Sequence, residues 1–345
     1  MLAQLKRILI YGESWRGSIP HSILLALTRL GYEAIIFDYQ KYLSELDGNR
    51  LLRKAASITD KFLFKKKCLN INQHFMQIAE DFSPQLIIIV KGLHILPETL
   101  QRINQIGIPV VNWHVDDPFN PRYITPYSDE SFTLYDIHFS SRPYLFEEYQ
   151  GKGARRVEYL EFCFDQTIFY PLNSIQIGKY DISFVGNWSK NREQWIKCLS
   201  PFFKVYVWGG SWWRARTLRK ETNIHLMHRS ATLEDYSRVV CESKICLNFL
   251  TLENRDQSNL RNFEIPACKG FQLCNRTEQL KNIFKEDKEI CLYETEQELI
   301  NKIRYYLKHK DERIEIAKKG FEAVTQKGHT FLSRCKQLVS TVEAL

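Results

Sequence analysis

The strongest concentration of side chains that could bind an anionic ligand follows Asn248, where a short apolar run ends. A polar loop leads from there to a helix predicted to begin near Ser258 or Asn259, which carries Arg261 and Glu264 in its first turns. The free N–H groups at a helix N-terminus favour phosphate groups, and an arginine can add two parallel hydrogen bonds. Glu264 is suited to accept hydrogen bonds from a diol. The alternative is a capped helix on which Arg261 and Glu264 form a surface pair.

Two further turns add candidate contacts of the same kind. Thr277 and Glu278 begin another helix directly after a predicted strand at residues 271–274, which gives a second helix N-terminus for an anion. Gly186 and Asn187 form a predicted tight turn after another strand, where backbone N–H groups could meet phosphate oxygens. The predicted anion-binding residues are therefore Gly186, Asn187, Asn248, Arg261, Glu264, Thr277 and Glu278.

In the first half of the chain, His114, Asp116 and Asp117 lie together at the end of a predicted strand, in the sequence N-W-H-V-D-D-P. An imidazole or a carboxylate at such a place can take a proton from a hydroxyl group or stabilise developing positive charge. Two other interpretations stay open. Aspartate before proline is typical of a turn with a capping carboxylate, next to a histidine whose hydrogen bonds are satisfied. Asp116 and Asp117 could also be a metal-binding carboxylate pair.

Short apolar runs alternate with amphipathic helices along the whole chain. The predicted strands of the first half are residues 7–11, 33–37, 86–90, 109–113, 137–139 and 157–160. Those of the second half are residues 181–185, 204–208, 224–227, 245–249 and 271–274. This alternation predicts two parallel, doubly wound sheets. Ligands of such sheets bind beyond the carboxyl ends of the strands, where the polar groups above are expected.

The composition fits a protein with two medium-sized domains. The chain has 345 residues, of which 44% are hydrophobic and 26% are charged. No apolar run approaches the roughly 18 residues that cross a bilayer, and the first residues lack the pattern of a signal peptide. The nine cysteines form no C-x-x-C pair, so we expect reduced core residues rather than a metal or redox site. These features predict a cytoplasmic protein.

The charge of the chain is mildly basic and unevenly spread. A net charge of +8 favours anionic partners, but it is too small and too dispersed to indicate nucleic acid. Residues 50–67 contain a basic run beside Phe62, Leu63 and Phe64. This run is either a solvated helix face or a surface for peripheral contact with a membrane or a lipid-linked partner.

A linked series of motifs in the second half resembles a known family. They are L-R-N-F-E-I-P-A-C-K-G-F at 260–271, N-R-T-E-Q-L at 275–280, K-I-R-Y-Y-L at 302–307, E-R-I-E-I-A-K-K-G at 312–320 and H-T at 329–330. In this order they are similar to the CgeB-like (spore maturation protein) branch of the group 1 glycosyltransferases. The similarity runs from about residue 180 to the C-terminus, and the ordered series is more specific than any single motif.

The resemblance implies a GT-B fold, in which two Rossmann-like, doubly wound domains face a central cleft. The linker is placed in residues 161–180, which lack periodicity. The predicted domains are an acceptor-side domain at 1–172 and a nucleotide-sugar-binding domain at 173–330, with a C-terminal helix at 331–345 that crosses back to the first domain.

The resemblance also implies roles for single residues. Glu264 stands where such enzymes place a ribose-binding glutamate, and related chains carry a W-x-x-D-x-P segment like that around Asp116. Two positions depart from the pattern: Asp256 replaces a second glutamate that positions the sugar, and Lys269 replaces a glycine. The departure at Lys269 either alters a turn or brings a cation near the donor.

The first glycine turn, residues 12–18, is neither G-x-G-x-x-G nor a P-loop. It is either a plain turn or an acceptor-side surface with Ser14 and Arg16 as contacts. The turn at Gly209 and Gly210 is followed by Trp212, which either packs in the core or stacks on a nucleotide base.

The expected function is transfer of a sugar from a nucleoside-diphosphate sugar to a carbohydrate, lipid-linked or protein acceptor, without a metal or other cofactor. In this interpretation His114, Asp116 and Asp117 act on the acceptor hydroxyl or on the anomeric carbon. One alternative is a non-catalytic module of the same fold that binds sugar nucleotides or a partner. Another is a nicotinamide-dependent oxidoreductase, which the missing G-x-G-x-x-G disfavours.

Overall fold

The computed structural model describes residues 5–43, 61–173 and 178–345. The chain divides into two compact units, and we treat each by itself. Unit 1 contains Met1–Glu161 together with Phe331–Leu345, and unit 2 contains Phe162–Thr330. Most of the basic run at 50–67 lies outside the described residues.

Six strands of unit 1 lie in the described part of the chain. They are β1 (Arg7–Tyr11), β2 (Glu33–Phe37), β3 (Leu86–Val90), β4 (Val110–His114), β5 (Ile137–Ser140) and β6 (Val157–Tyr159). The helices between them are α1 (Ile19–Arg29), α2 (Gln40–Leu43), α3 (Lys61–Phe82), α4 (Pro97–Gln105), α5 (Ser128–Phe132) and α6 (Phe146–Gly151).

The strands of unit 1 are parallel and pair in the order β2-β1-β3-β4-β5-β6. β3 reads LIIIV and is buried at every position, as expected of a parallel strand covered on both faces. The direction of winding changes between β1 and β3, because β2 lies on one side of β1 and the later strands lie on the other. This switch point is where a ligand of unit 1 is expected.

Unit 2 repeats this architecture. Its described strands are β7 (Tyr180–Val185), β8 (Val205–Trp208), β9 (Ile224–Leu226), β10 (Ser243–Asn248), β11 (Gln272–Asn275) and β12 (Cys291–Tyr293). Its helices are α7 (Lys190–Leu199), α8 (Glu234–Glu242), α9 (Arg261–Ala267), α10 (Glu278–Ile283), α11 (Glu296–Lys308) and α12 (Lys310–Gln326). The final helix, α13 (Phe331–Glu343), belongs to unit 1.

The strands of unit 2 are also parallel and pair in the order β12-β11-β10-β7-β8-β9. This is the strand order of a dinucleotide-binding Rossmann sheet, with the switch point between β7 and β10. The predicted architecture, two Rossmann-like units with parallel sheets, is confirmed.

The predicted return of the C-terminal helix to unit 1 is confirmed as well. α13 packs on α1, and it buries Cys335, Leu338 and Val342. The Arg334 guanidinium donates from Nε to the carbonyl oxygen of Glu161 at 2.9 Å. Apolar burial and this hydrogen bond together fix the helix on the first unit.

Capping side chains explain where several helices begin. Ser18 accepts a hydrogen bond from the backbone N–H of His21 at the start of α1, with Pro20 in the first turn. Ser189 caps α7 and Thr295 caps α11 in the same way. No helix in the described ranges is both long enough and apolar enough to cross a bilayer.

The boundary between the units differs from the predicted one. The units separate between Glu161 and Phe162, whereas the sequence placed the division at residue 172. Phe162 and Phe164 are buried in a cluster of unit 2 that includes Phe263. The irregular segment was recognised, but its aromatic residues pack on partners that no local pattern reveals.

Two smaller differences concern unit 2. β12 was not predicted, because its three residues are too few for a period to show. α9 begins at Arg261 rather than near Ser258 or Asn259. The turn before it is built by side chains instead: Asn262 Oδ1 accepts from the N–H of Asn259 at 2.9 Å, and Asn259 Oδ1 accepts from the N–H of Asn262 at 3.3 Å.

Candidate functional site

The turn after β7 forms one side of the switch point in unit 2. Gly186 donates its N–H to the carbonyl oxygen of Trp208 at 2.9 Å, and Trp212 Nε1 donates to the Gly186 oxygen at 2.7 Å. Gly209 has φ +139°, and a Cβ there would lie 2.0 Å from the Gly186 oxygen, so this contact requires glycine. Both backbone groups of Gly186 are used, and its N–H is not free for the predicted phosphate contact.

The neighbouring residues of this turn settle one open alternative. Trp212 is 2% exposed, so it packs in the core and offers no face to a nucleotide base. Asn187 is exposed, and its Oδ1 accepts from the N–H of Gly210 at 3.0 Å. Of the two residues predicted in this turn, only Asn187 is placed to meet a ligand.

Arg261 lies at the centre of the switch point. Its Nε donates to the carbonyl oxygen of Val185, the last residue of β7, at 2.7 Å. This hydrogen bond fixes the guanidinium beyond the carboxyl end of the sheet. Its two terminal nitrogens form no hydrogen bond with any residue in the described part of the chain. The geometry therefore leaves the two-pronged end of Arg261 available to an anion.

Arg192, on the first turn of α7, is a second cation that the sequence analysis missed. Its Nη2 donates to the carbonyl oxygen of Phe249 at 3.1 Å and to Thr251 Oγ1 at 3.0 Å. Burial and the charge of Arg261 together lower the pKa of Arg192 to about 10, against the opposing charges of Asp256 and Glu253. Two guanidinium groups close enough to repel each other are stabilised by an anion that contacts both.

Glu264 follows one helical turn after Arg261 on α9. Burial raises the pKa of its carboxyl to about 7, and the charge of Arg261 opposes part of that rise. No donor among the described residues hydrogen-bonds to this carboxylate, and the surface pair with Arg261 that the sequence left open is not formed. A half-buried carboxylate with free oxygens is suited to the two hydroxyl groups of a ribose.

Asn248 is a buried residue that supports the site through hydrogen bonds within the protein. It is completely buried, and its amide exchanges two hydrogen bonds with Asn259, at 3.0 and 3.1 Å. Since both ends of the amide are satisfied by the protein, the predicted contact with a ligand is replaced by a structural role. Asn248 connects the end of β10 to the loop that precedes α9, and so positions Arg261.

Thr277 and Glu278 differ from the predicted ligand contacts. Thr277 caps α10, because its hydroxyl accepts from the N–H of Leu280 at 3.1 Å and donates to the carbonyl oxygen of Gln257 at 2.6 Å. Glu278 points to solvent with its side chain 79% exposed, and it pairs with Lys281 at 2.8 Å. Neither side chain is held towards the switch point.

The two departures from the family pattern have local explanations. Lys269, where the family has glycine, has φ +56°, a conformation that favours glycine. Its ammonium group lies 4.9 Å from the centre of the Phe321 ring, so its charge serves packing against α12 and not the arginine pair. Asp256 accepts a hydrogen bond from the side-chain amide of Asn254 at 2.7 Å, within the loop that follows β10.

In unit 1, the predicted acceptor-side residues follow β1. The Ser14 hydroxyl donates to Asp38 Oδ2 at 2.6 Å, which ties the loop to the end of β2. Arg16 is exposed on the same loop, beside Trp15, which is 57% exposed. Ser14 therefore shapes the loop, and Arg16 is the residue of the two that a ligand can reach.

The predicted trio after β4 separates into different environments. His114 is buried at the end of β4, where it stacks on Phe132 and contacts His138. Burial lowers the pKa of His114 well below its usual value, and His138 and Arg142 lower it further. His114 is therefore a neutral imidazole at pH 7, with a role as a hydrogen-bonding group.

The two carboxylates of the trio point in different directions. Asp116 pairs with Lys91, a residue that the sequence analysis missed, at 2.8 Å. Asp117 is 1% exposed and accepts from the backbone N–H of Phe119 at 2.9 Å, which is the capped turn that the sequence left open. Within residues 5–43, 61–173 and 178–345, no three histidine, cysteine, aspartate or glutamate side chains form a group that could hold a metal ion.

A recess opens beyond the carboxyl ends of β3 and β4. It encloses about 550 Å³ of space free of protein atoms, open solvent included. Its lining includes Lys91, Asn112, His114, Asp116, Tyr123 and Phe132. His114 and Asp116 thus share one recess, whereas Asp117 does not line it.

Comparison with known proteins agrees with this geometry. A family model described as glycosyl transferase-like matches residues 191–340, which include Arg192, Arg261 and Glu264. A search of curated proteins found no match.

Solved structures match the whole chain at low sequence identity. Sucrose-phosphate synthase from Thermosynechococcus elongatus is 12% identical with a TM-score of 0.72, covering 98% of each chain. Anabaena HepE in complex with UDP and glucose is 12% identical with a TM-score of 0.66, covering 99% of this chain and 100% of that one. A putative UDP-N-acetylglucosamine 2-epimerase from Listeria monocytogenes is 11% identical with a TM-score of 0.60, covering 99% and 96%. These likenesses show that the chain has the GT-B fold.

Proposed function

We propose that this protein is a glycosyltransferase that moves a sugar, of the hexose type, from a nucleoside-diphosphate sugar to an acceptor hydroxyl. The observation that carries the proposal is the pair Arg192 and Arg261 at the switch point of unit 2, beside the carboxyl of Glu264. The free terminal nitrogens of Arg261 and the neighbouring charge of Arg192 suit a diphosphate, and a carboxylate with free oxygens suits a ribose. The family match over this region and a structural neighbour solved with UDP and glucose support the same reading.

The chemistry follows from where charge develops. As the bond between the sugar and the diphosphate breaks, negative charge grows on the departing diphosphate. Fixed cations aimed at that position lower the barrier, because they need no rearrangement during the reaction. Arg261, which is hydrogen-bonded to the carbonyl oxygen of Val185, is the residue proposed to stabilise this negative charge. Arg192 adds a second positive charge. We therefore propose a reaction that does not depend on a metal ion.

The setting of the reaction is part of the proposal. We propose a cytoplasmic enzyme of cell-surface, spore or envelope polysaccharide or glycoconjugate synthesis, in the manner of the family that the motifs resemble. All nine cysteines are free thiols, which supports a reducing compartment. The basic run at 50–67 is the surface proposed for contact with a membrane when the acceptor is lipid-linked.

The first test is a thermal-shift measurement with UDP, GDP, ADP, CDP and TDP and their glucose derivatives. A ligand that binds only the native state raises the melting temperature. We expect one base to give a shift, lost in Glu264→Ala because the ribose loses its partner. Glu278→Ala is the matched control, since it removes an exposed glutamate of the same unit and should keep the shift.

The same experiment separates the proposal from its main alternative. A folded protein that responds to none of these nucleotides would refute donor binding. A shift without any release of the nucleoside diphosphate, even by hydrolysis, would favour the non-catalytic sugar-nucleotide module.

The affinity for the donor is expected to rise with pH. The pKa of Glu264 is about 7, and only the ionised carboxylate accepts hydrogen bonds at both oxygens. If that form alone binds, the affinity increases about tenfold from pH 6 to pH 8. Isothermal titration calorimetry with the sugar nucleotide measures this, because its phosphates do not titrate in that range. Glu264→Gln should bind weakly and without this pH dependence; a wild-type affinity that is flat across the range would contradict the assignment.

A further inference from the structure

The recess of unit 1 has a second histidine directly behind it. His138 lies on β5 opposite Asn112 of β4, so it shares a face of the sheet with His114, two residues further along β4. Its side chain is completely buried and stacks on Phe132, with ring centres 4.7 Å apart. His138 does not line the recess, and the proposed function gives it no role so far.

The hydrogen bonds of His138 determine which of its nitrogens carries the proton. Its Nε2 lies 2.8 Å from the carbonyl oxygen of Phe132, which can only accept, so Nε2 is the donor. Burial lowers the pKa of His138 to about 4, so the ring is neutral at pH 7 and has a single N–H. Its Nδ1 is therefore a hydrogen-bond acceptor.

The protonation of His138 determines which nitrogen of His114 carries the proton. His114 Nε2 lies 3.3 Å from His138 Nδ1. Since His138 Nδ1 accepts, His114 must donate from Nε2. His114 is also neutral, so its Nδ1 carries a lone pair and no proton. The Phe132 carbonyl thus sets the tautomer of both histidines.

His114 belongs to the lining of the recess. No residue in the described part of the chain donates a hydrogen bond to His114 Nδ1. Asn112, on the same lining, has a side-chain oxygen that is buried and has no partner among the described residues. His114 Nδ1 and the Asn112 side-chain oxygen are both hydrogen-bond acceptors without a donor within the described ranges. A hydroxyl group of a ligand can donate a hydrogen bond to either of them.

The charges and the apolar side chains of the recess further limit the class of ligand that fits it. The cation of Lys91 is neutralised by Asp116 at 2.8 Å, so the recess does not select an anion. Leu93, Ile95 and Phe132 add apolar wall. A neutral compound with several hydroxyl groups and a carbon face, such as a sugar, has the matching chemistry.

We propose that His138 is a positioning residue that holds His114 as its Nε2–H tautomer, so that His114 Nδ1 orients a hydroxyl group of a neutral, hydroxyl-rich acceptor in the recess. This inference rests on the proposed function for the identity of the ligand as the sugar acceptor. His114 takes the O–H hydrogen bond and leaves the lone pairs of the hydroxyl oxygen free to attack. Because it is held neutral, His114 acts as an orienting acceptor. In the transfer, the hydroxyl oxygen bonds to the anomeric carbon, the bond from that carbon to the diphosphate breaks, and the hydroxyl proton leaves with the departing diphosphate.

The tautomers can be tested without any ligand. Two-bond proton–nitrogen correlation spectra of the full chain, labelled with ¹⁵N-histidine and assigned with His114→Gln and His138→Asn, report which ring nitrogen is protonated. We expect both rings to carry the proton on Nε2 in the wild type. Finding either ring protonated on Nδ1 would overturn the proposal, whatever the protein's activity.

The role in turnover is tested with the sugar nucleotide that the thermal-shift panel identifies, using water as the acceptor. His138→Phe keeps an aromatic ring that can stack on Phe132, but it cannot accept the hydrogen bond from His114 Nε2. We expect its rate of nucleoside diphosphate release to fall between about tenfold and a hundredfold, with the KM for the donor unchanged. His138→Asn places an oxygen near the position of Nδ1 and should recover most of the loss.

The outcomes separate the two proposals. If the wild type binds no nucleotide, the proposed function fails, while the spectra still decide the histidine assignment. If His138→Phe is folded, binds the donor and releases product at the wild-type rate, the positioning role is wrong. If His138→Phe does not fold, the proposal is decided by the turnover rate of His138→Asn and by the wild-type spectra.

Discussion

Arg261→Ala is expected to remove most of the affinity for the nucleoside diphosphate and most of the transfer rate. Arg261 is held by Val185, and its terminal nitrogens have no partner among the described residues. A hydrogen bond to a charged group contributes about 1.5–3 kcal/mol, so the affinity should fall roughly 10-fold to 150-fold. The rate should fall about 10²–10³-fold, because charge on the departing diphosphate loses a fixed donor.

The substitution also acts through its neighbour. The charge of Arg261 lowers the pKa of the Glu264 carboxyl, which burial raises to about 7. Without that charge the pKa rises further, so more of Glu264 is protonated at pH 7 and the ribose contact weakens as well. The loss in Arg261→Ala should therefore be larger at pH 7 than at pH 8.5.

Calorimetry and a coupled assay of diphosphate release measure these effects. Arg261→Lys keeps the charge but not the two-pronged geometry, and should fall between wild type and alanine. Arg238→Ala is the matched control, because Arg238 is an exposed arginine of the same unit. Wild-type affinity and rate in Arg261→Ala would show that the donor binds elsewhere.

Unit 1 is expected to lose stability in mild acid. Burial lowers the pKa of His94 and of His138 to about 4 each, from 6.5. Between these values the unfolded chain binds more protons than the folded one, so the free energy of unfolding falls as the pH falls from about 6.5. From pH 7 to pH 5, protonation linked to these two histidines lowers the free energy of unfolding by about 4 kcal/mol in total. His114 lowers it further in the same direction.

Urea unfolding at pH 7, 6 and 5, followed by circular dichroism, measures this loss. His138→Phe should be destabilised at pH 7, because it leaves the Phe132 carbonyl without its donor. Its further loss between pH 7 and pH 5 should nevertheless be about 2 kcal/mol smaller than that of the wild type. Tyr149→Phe alters the same aromatic cluster without removing a group that titrates in acid, so it should keep the full loss. An equal loss in all three proteins would contradict the assignment.

The sequence predicted the fold well because each element carries a local signal. The buried run LIIIV, the cap at Ser18 and the alternation of strands and helices depend only on neighbouring residues. Local signals do not determine which face of every helix is buried. On α12, Ile314 is 52% exposed, whereas Ile316 is buried. Several patterns of nearly equal quality fit that helix, and only packing selects one.

The candidate site was predicted less completely, because it depends on strand order. Arg261 and Glu264 could be found, since one helix carries both. Arg192 and His138 could not, because each reaches its partner across the sheet from a distant part of the chain. Burial also changed roles that residue type alone suggested: Asn248 and Asp117 are polar residues at strand ends, but their hydrogen bonds are used within the protein.

The return of α13 to α1 has a consequence for how the protein is made. On the ribosome, the residues that complete unit 1 emerge only after the whole of unit 2, a delay of roughly ten to thirty seconds. During that time α1 lacks the helix that packs on it. Unit 2 is continuous in sequence and can fold first. A nascent chain stalled before residue 331 therefore carries a finished second unit and an unfinished first one, and the exposed face of α1 is the surface that chaperones would recognise.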